Sequence, residues 1–210
     1  MVKKRMENKT KINYDKVLEE LINKLDYKPK LLLHSCCGPC SSYVITYLKD
    51  YFDITILYYN PNIEPLEEYE KRKSEQIKLI KKLDIPTLNL LDTDYENDYY
   101  RECVKGYENE VEGGSRCHLC YELRLNKTAK LAKENNFEYF GTTLTVSPYK
   151  NAYVLNNIGE KLASEYNLKW LYSDFKKKEG YKKSIELSKQ YNLYRQDYCG
   201  CLFSKNIESE

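Results

Sequence analysis

Residues 31–48, LLLHSCCGPCSSYVITYL, decide the fold that we expect for this chain. Three leucines before His34 form a short apolar run, which predicts a buried strand. Apolar residues at helical spacing follow Ser41 and Ser42, and serines favour the start of a helix. Three cysteines therefore lie in the loop that joins a strand to a helix: Cys36, Cys37 and Cys40.

The same alternation of strand and helix continues along the chain. Apolar and β-branched runs predict strands at 54–59, 87–91, 137–144 and 169–172. Helical spacing predicts a first helix capped by Asp15 and further helices at 66–83, 95–103, 117–132, 151–166 and 182–190. This order favours an α/β fold with a mainly parallel, Rossmann-like sheet and helices on both faces. We expect a loosely ordered segment at 1–12, a single domain at 13–210, and a cysteine-lined site at the carboxyl ends of the strands.

The cysteines are concentrated in three clusters. Seven of the eight belong to Cys36-Cys37-Gly38-Pro39-Cys40, Cys117-His118-Leu119-Cys120 and Cys199-Gly200-Cys201, whereas Cys103 stands apart on a predicted helix and is expected in the core. Thiolates at such short spacing are typical of iron–sulfur clusters, zinc sites and dithiol redox pairs. Seven sulfurs in one place would exceed the needs of a single four-ligand site.

Composition and charge favour one cellular compartment, but they do not indicate what the protein binds. The charge is only +2, from 34 basic and 32 acidic residues, so overall charge gives no argument for nucleic-acid binding. The charged start lacks the apolar run of a secretory signal, and no window approaches a membrane span. We expect a cytoplasmic protein without a membrane partner, where clustered cysteines bind metal or catalyse more often than they form disulfides.

Spacing alone does not choose the metal. The Cys117–Cys120 pair faces one side of a helical turn, a geometry used by redox, zinc and iron–sulfur sites alike. Structural zinc prefers two such pairs in a compact ribbon, whereas these clusters are far apart on a large scaffold. A functional metal is therefore the more natural interpretation. His34 and His118 flank the cysteines and are candidate ligands or proton donors.

Five ordered motifs resemble the QueH-type epoxyqueuosine reductases. They are Cys36–Cys40, Tyr59–Ile63 with Glu68, Tyr69 and Arg72, Arg116–Leu125, Thr142–Asn151 and Tyr194–Cys201, and the resemblance covers about residues 30 to 203. It implies a HUP-like α/β reductase domain with a [4Fe-4S] cluster and no cobalamin. It also implies reduction of the epoxide of epoxyqueuosine, at the tRNA wobble position, to the alkene of queuosine. This last step of queuosine biosynthesis consumes two electrons and two protons and releases water.

The resemblance also implies roles for the cysteines. In one arrangement Cys36, Cys37, Cys117 and Cys120 hold the cluster, and Cys199 and Cys201 form a redox-active pair. In the other, three cysteines hold the cluster, and a second metal, with iron favoured, takes other sulfurs including Cys40. Spacing does not decide between them. An open metal position would polarise the C–O bond of the epoxide, and the candidate proton donors are Tyr43, His34, His118 and Asp197.

The same motifs supply candidate substrate contacts. Asn60 and Asn62 follow a predicted strand end, and four basic residues lie inside motifs: Arg72, Arg116, Lys150 and Arg195. The expected partners are tRNA and an electron donor that the sequence does not identify. Two rival interpretations stay open at this point. One is a zinc-binding adaptor without redox activity, and the other is a thiol-dependent tRNA sulfur-transfer or oxidoreductase enzyme.

Overall fold

The predicted parallel sheet is present in the structure, a computed structural model that describes residues 12–205. Its five strands are β1 (Lys30–His34), β2 (Asp53–Leu57), β3 (Asn89–Leu91), β4 (Tyr139–Thr142) and β5 (Lys169–Trp170). They lie in the order β3-β2-β1-β4-β5, and every neighbouring pair is parallel. The expectation of a loosely ordered start falls on residues 1–11, which lie outside the described residues.

Eight α-helices accompany these strands within residues 12–205. They are α1 (Tyr14–Ile22), α2 (Gly38–Leu48), α3 (Leu66–Leu83), α4 (Asn97–Cys103), α5 (Ser115–Glu134), α6 (Ala152–Tyr166), α7 (Gly180–Gln190) and α8 (Leu202–Lys205). A 3₁₀ helix (Leu144–Val146) follows β4. In this part of the chain, every helix is too short or too polar to cross a bilayer.

The residues that cap α1 and α2 differ from those predicted. Asn13, rather than Asp15, caps α1, because its side chain accepts from the Lys16 amide. Cys37, rather than Ser41 or Ser42, caps α2, and its Sγ accepts from the Cys40 amide. α2 therefore begins earlier in the chain than expected, at Gly38. Cys37 lies at its N-cap and Cys40 in its first turn, where backbone N–H groups favour negative charge.

The strands separate two apolar cores. Leu31 and Leu33 of β1 pack with residues of α1, α2 and α3, and α7 packs against α2 on that side. Leu32 points the other way and packs with residues of α5 and α6. Side chains alternate across a strand, so a run of buried leucines supplies both faces of the sheet.

The order of the strands fixes where a ligand can bind. The chain runs outward from β1 through β2 to β3, and then crosses back to β4 on the other side of β1. Such a switch point opens a crevice beyond the carboxyl ends of the strands. Here Cys36 follows β1 and Thr143 follows β4, and the Cys36 amide donates to Thr143 Oγ1 at 3.4 Å.

Candidate metal centre

The first cysteine cluster forms a compact group of sulfurs. Within residues 12–205, Cys36, Cys37 and Cys40 are the only set of three or more candidate ligand side chains whose ligand atoms all lie within 4.8 Å of one another. Cys37 Sγ accepts from the Cys40 amide at 3.5 Å and from Gln196 Nε2 at 3.0 Å. The fold thus presents three thiols at the start of α2, with donors aimed at the central one.

Hydrogen bonds in this group favour the charged form of Cys37. The Cys36 and Cys40 thiols donate to its sulfur, with Gln196 as a further donor, and hold the pKa of Cys37 well below its usual range. The contact with Cys37 raises the pKa of Cys36 to about 11, and contacts with Cys36 and Cys37 raise the pKa of Cys40 well above its usual range. Three sulfurs so close together are a set of donors suited to a metal ion, which would displace their protons.

The other four clustered cysteines line a separate, narrow cavity of about 10 Å³. These are Cys117, Cys120, Cys199 and Cys201. Cys117 Sγ accepts from the Gly113 amide at 3.2 Å, and Cys199 Sγ accepts from Lys150 Nζ at 3.2 Å. Burial raises the pKa of Cys120 to about 12. The Tyr100 hydroxyl lies 3.0 Å from Cys201 Sγ, so donors reach three of these sulfurs.

A larger open cleft of about 520 Å³ joins the two groups of sulfurs. Cys36 and Cys40 line this cleft, and Cys199 lines both the cleft and the narrow cavity. The prediction that the cysteines form a site at the carboxyl ends of the strands is therefore confirmed. Cys36 and Cys37 lie with Cys40, whereas Cys117 and Cys120 line the narrow cavity with Cys199 and Cys201. Which of these cysteines hold a cluster stays a prediction.

The chemistry of this donor set fits a sulfur-bound metal group. All eight cysteines are free thiols, and seven line or adjoin the two spaces. Cys103 lines neither space, but it is only partly buried rather than in the core as expected. Hydrogen-bond donors to sulfur are the groups that tune iron–sulfur centres in proteins.

Two of the candidate basic residues line the site but use their donors elsewhere. Arg72 donates to Glu68 Oε1 at 2.7 Å and to the Cys199 carbonyl at 3.1 Å. Arg116 donates to three carbonyls of the loop before α5, including that of Glu108 at 2.7 Å. Both guanidinium groups hold cysteine-bearing segments in place, a role that the motifs did not reveal.

The other candidate contacts face the open cleft more directly. Arg195 lies 5.2 Å from the Tyr181 ring centroid, and both residues line the cleft. Lys150 donates to Glu112 Oε1 at 2.9 Å in addition to Cys199. Burial lowers its pKa, but the charges of Cys199, Tyr121 and Glu112 outweigh that effect and raise the pKa well above its usual range. Lys150 is therefore a cation at the junction of the two spaces.

Asn60 and Asn62 lie where the sequence places them, beyond the end of β2. Asn60 Nδ2 donates to the Ser35 carbonyl at 2.8 Å, which ties the loop after β2 to the loop after β1. Asn62 Oδ1 is buried without a hydrogen-bond partner, and Asn62 lines both spaces. An unpartnered buried amide oxygen in a cleft is a candidate contact for a ligand.

Of the four candidate proton donors, only Asp197 lines the cleft. His34 is fully buried, and its ring nitrogens meet Thr142 Oγ1 at 3.0 Å and the Tyr59 carbonyl at 3.1 Å. Burial lowers the pKa of His34 to about 3, so the ring is neutral. His118 is exposed on a different groove, and Tyr43 packs beside α7 outside both spaces.

Several residues of the site were not singled out from the sequence. They are Tyr100, Glu112, Arg124, Thr143, Tyr149, Tyr181 and Gln196. Arg124 follows Cys120 by four positions, so helical spacing could have placed the two on one face of α5. Thr143, Tyr149 and Gln196 lie inside the quoted motifs, which did not assign them a role. No local pattern points to the site for Tyr100 or Tyr181.

The fold and the site together define a class of protein: a Rossmann-like α/β protein with a cysteine-lined candidate metal site at the switch point of its sheet. The sequence profile of the family "Epoxyqueuosine reductase QueH" matches residues 31–207. The chain belongs to this family. It is 44% identical over 202 residues to epoxyqueuosine reductase QueH of Staphylococcus epidermidis, an alignment that covers 92% of this chain and 85% of that protein.

More distant relatives carry the same name. The Streptococcus pyogenes protein is 41% identical over 94% of this chain and 80% of its own length. The Thermotoga maritima protein is 37% identical over 83% of this chain and 89% of its own length. Both are named epoxyqueuosine reductase QueH. The resemblance found in the motifs is therefore confirmed.

Proposed function

We propose that this chain is an epoxyqueuosine reductase, which converts the epoxide of epoxyqueuosine at the tRNA wobble position to the alkene of queuosine. The observation that carries this proposal is the placement of seven sulfurs around two joined spaces in a member of the QueH family. The reaction takes up two electrons and two protons and releases one water. A tRNA substrate and free thiols both favour a cytoplasmic location.

The two groups of sulfurs support two separate metal sites with different roles. Cys117, Cys120, Cys199 and Cys201 would hold a [4Fe-4S] cluster, and Cys36, Cys37 and Cys40 would hold a second metal ion, with iron favoured. Cys199 lines both spaces and could serve either. When bound, these groups supply electrons singly and a Lewis acid for the epoxide oxygen. In an alternative division, Cys199 and Cys201 stay free of metal and act as a dithiol pair.

The cleft supplies groups suited to the modified base. Asn62 offers an unsatisfied amide oxygen, and Lys150 and Arg195 offer cations for hydroxyl or phosphate oxygens. Tyr149 is 74% exposed and lines the cleft, where a ring can stack on a base. Asp197, a carboxyl group that lines the cleft, would deliver protons to the leaving oxygen, and Lys150 would be a second donor.

One anaerobic experiment tests the proposal against its rivals. Purified protein is reconstituted with iron and sulfide, analysed for metals, and incubated with epoxyqueuosine-containing tRNA and dithionite. The nucleosides are then separated and identified by mass spectrometry. We expect a brown, iron-containing protein that forms queuosine. A colourless zinc protein without product would favour the adaptor, and full activity of an iron-free protein would favour a thiol enzyme.

A salt titration tests whether tRNA is the substrate. Contacts to phosphates release counterions, so the dissociation constant for tRNA should rise steeply with salt. A free epoxyqueuosine nucleoside carries no phosphate and serves as the comparison. Equal reduction of both substrates, with affinities that do not depend on salt, would assign the reaction to the nucleoside instead.

A further inference from the structure

Arg124 of α5 is a buried cation with an unusual set of neighbours. Its side chain is 2% exposed, and within residues 12–205 it forms no ion pair with a carboxylate. Arg124 Nε donates to the Cys120 carbonyl at 3.2 Å, and Nη1 donates to Asn60 Oδ1 at 3.4 Å. Arg124 Nη2 has no hydrogen-bond partner. The guanidinium therefore lies in the interior without a protein carboxylate to balance it.

The other two buried arginines are better satisfied, although only Arg72 has a carboxylate partner. Arg72 is paired with Glu68, and Arg116 donates to three carbonyl oxygens. An isolated buried charge costs several kcal/mol, so a buried cation needs a counter-charge nearby. Arg124 has only two neutral acceptors, and a third donor group remains unused. Its counter-charge must come from another source.

Sulfurs are among the groups placed to supply that charge. Arg124 lines both the narrow cavity and the open cleft, which makes it a shared wall of the two groups of cysteines. Burial lowers the pKa of Arg124, but Cys120, Cys199 and Cys36, together with Tyr121, raise it above its usual range when they are deprotonated. A bound metal would deprotonate the three cysteines. These three cysteines come from three different clusters. Lys150, the other cation here, already has Glu112 as a partner.

We propose that Arg124 is the fixed counter-charge of the sulfur-held metal group and that it raises the reduction potential of that group. This inference rests on the proposed function. Reduction adds one negative charge to the group, and a permanent cation in a low-dielectric interior stabilises the reduced state more than the oxidised state. Arginine suits this role because its guanidinium stays protonated. Removing the charge should therefore make the group harder to reduce.

The test compares Arg124→Gln, Arg124→Lys and Lys130→Gln with wild type. Lys130 is an exposed residue of the same helix, so its variant removes one charge where water screens it. Each protein is reconstituted anaerobically, analysed for iron, and titrated while its visible absorption is followed. We expect Arg124→Gln to raise the ratio of oxidised to reduced centre at least tenfold at a fixed potential, a fall in midpoint of 59 mV for a one-electron couple. Arg124→Lys and Lys130→Gln should stay close to wild type.

The outcomes separate this inference from the proposed function. A wild-type protein that holds no iron contradicts the proposed function, and the inference falls with it. Iron-loaded wild type and Arg124→Gln with equal midpoints contradict the inference alone. If Arg124→Gln fails to retain iron while Arg124→Lys retains it, the charge requirement is supported through assembly. Loss of iron in both variants would assign Arg124 a packing role and overturn the inference.

Discussion

Arg72 should hold the last cysteine segment against the sheet, and Arg72→Met tests this directly. The guanidinium is 2% exposed, pairs with Glu68, and donates to the carbonyls of Cys199 and Tyr198 at 3.1 and 3.5 Å. Methionine keeps much of the apolar stem but removes the charge and all three bonds. Breaking a buried ion pair by removing one partner costs about 3–5 kcal/mol. The lower value fits here, because the Tyr194 hydroxyl also donates to Glu68, at 3.2 Å.

Amide exchange of Glu64 reports this loss. Its N–H donates to the Gly200 carbonyl at 2.9 Å, so it exchanges only when the 198–201 segment opens. A loss of about 3 kcal/mol corresponds to exchange roughly 100-fold faster, since each 1.4 kcal/mol is tenfold. The measurement uses reduced, metal-free protein, with Lys81→Met, an exposed site on α3, as the control. Exchange in Arg72→Met within threefold of wild type would refute the anchoring role.

Three further substitutions test other parts of the structure. Gly200→Ala should strain the segment by about 1–3 kcal/mol, because φ is +105° and a Cβ would lie 2.9 Å from Arg72 Nη1 and Ile63 Cγ1. The iron content of the reconstituted variant should fall, and an iron content equal to that of wild type would contradict this prediction. In Gly159→Ala the new Cβ should overlap the Trp170 ring and lower the free energy of unfolding by about 1–3 kcal/mol, which is measured as a lower midpoint of urea unfolding. An unchanged midpoint would contradict this and show that α6 and β5 adjust freely. Cys103→Ser should keep wild-type iron content, since Cys103 lines neither sulfur-lined space; iron loss would make it a ligand.

The sheet could be predicted because β1 is buried on both faces, and such a strand is an unbroken run of apolar residues in the sequence. Leu31, Leu32 and Leu33 are all buried, and such a run is typical of a central parallel strand. The strand predicted at 137–144 ends at Thr142 instead, because the apolar residues beyond it are buried in a 3₁₀ helix. Apolar character predicts burial well there, but it does not distinguish the two conformations.

The site was predictable in its chemistry and location, but not in its internal grouping. Clustered cysteines after a strand end indicated sulfur chemistry at the switch point. The separation of Cys36 and Cys37 from Cys117 and Cys120 depends on how α2 and α5 pack, which spacing does not encode. For the same reason, nothing in the sequence distinguishes Arg72, whose donors hold the chain, from Arg124, whose charge lacks a carboxylate.

The dispersal of the sulfurs along the chain has a consequence for biogenesis. Cys36 is synthesised before four of the five strands, whereas Cys199 and Cys201 are synthesised only after every strand of the sheet. The wall of the narrow cavity is therefore incomplete until residue 201 has been made. A metal group that needed Cys199 and Cys201 as ligands could be completed only after that point, when all the strands are available to fold.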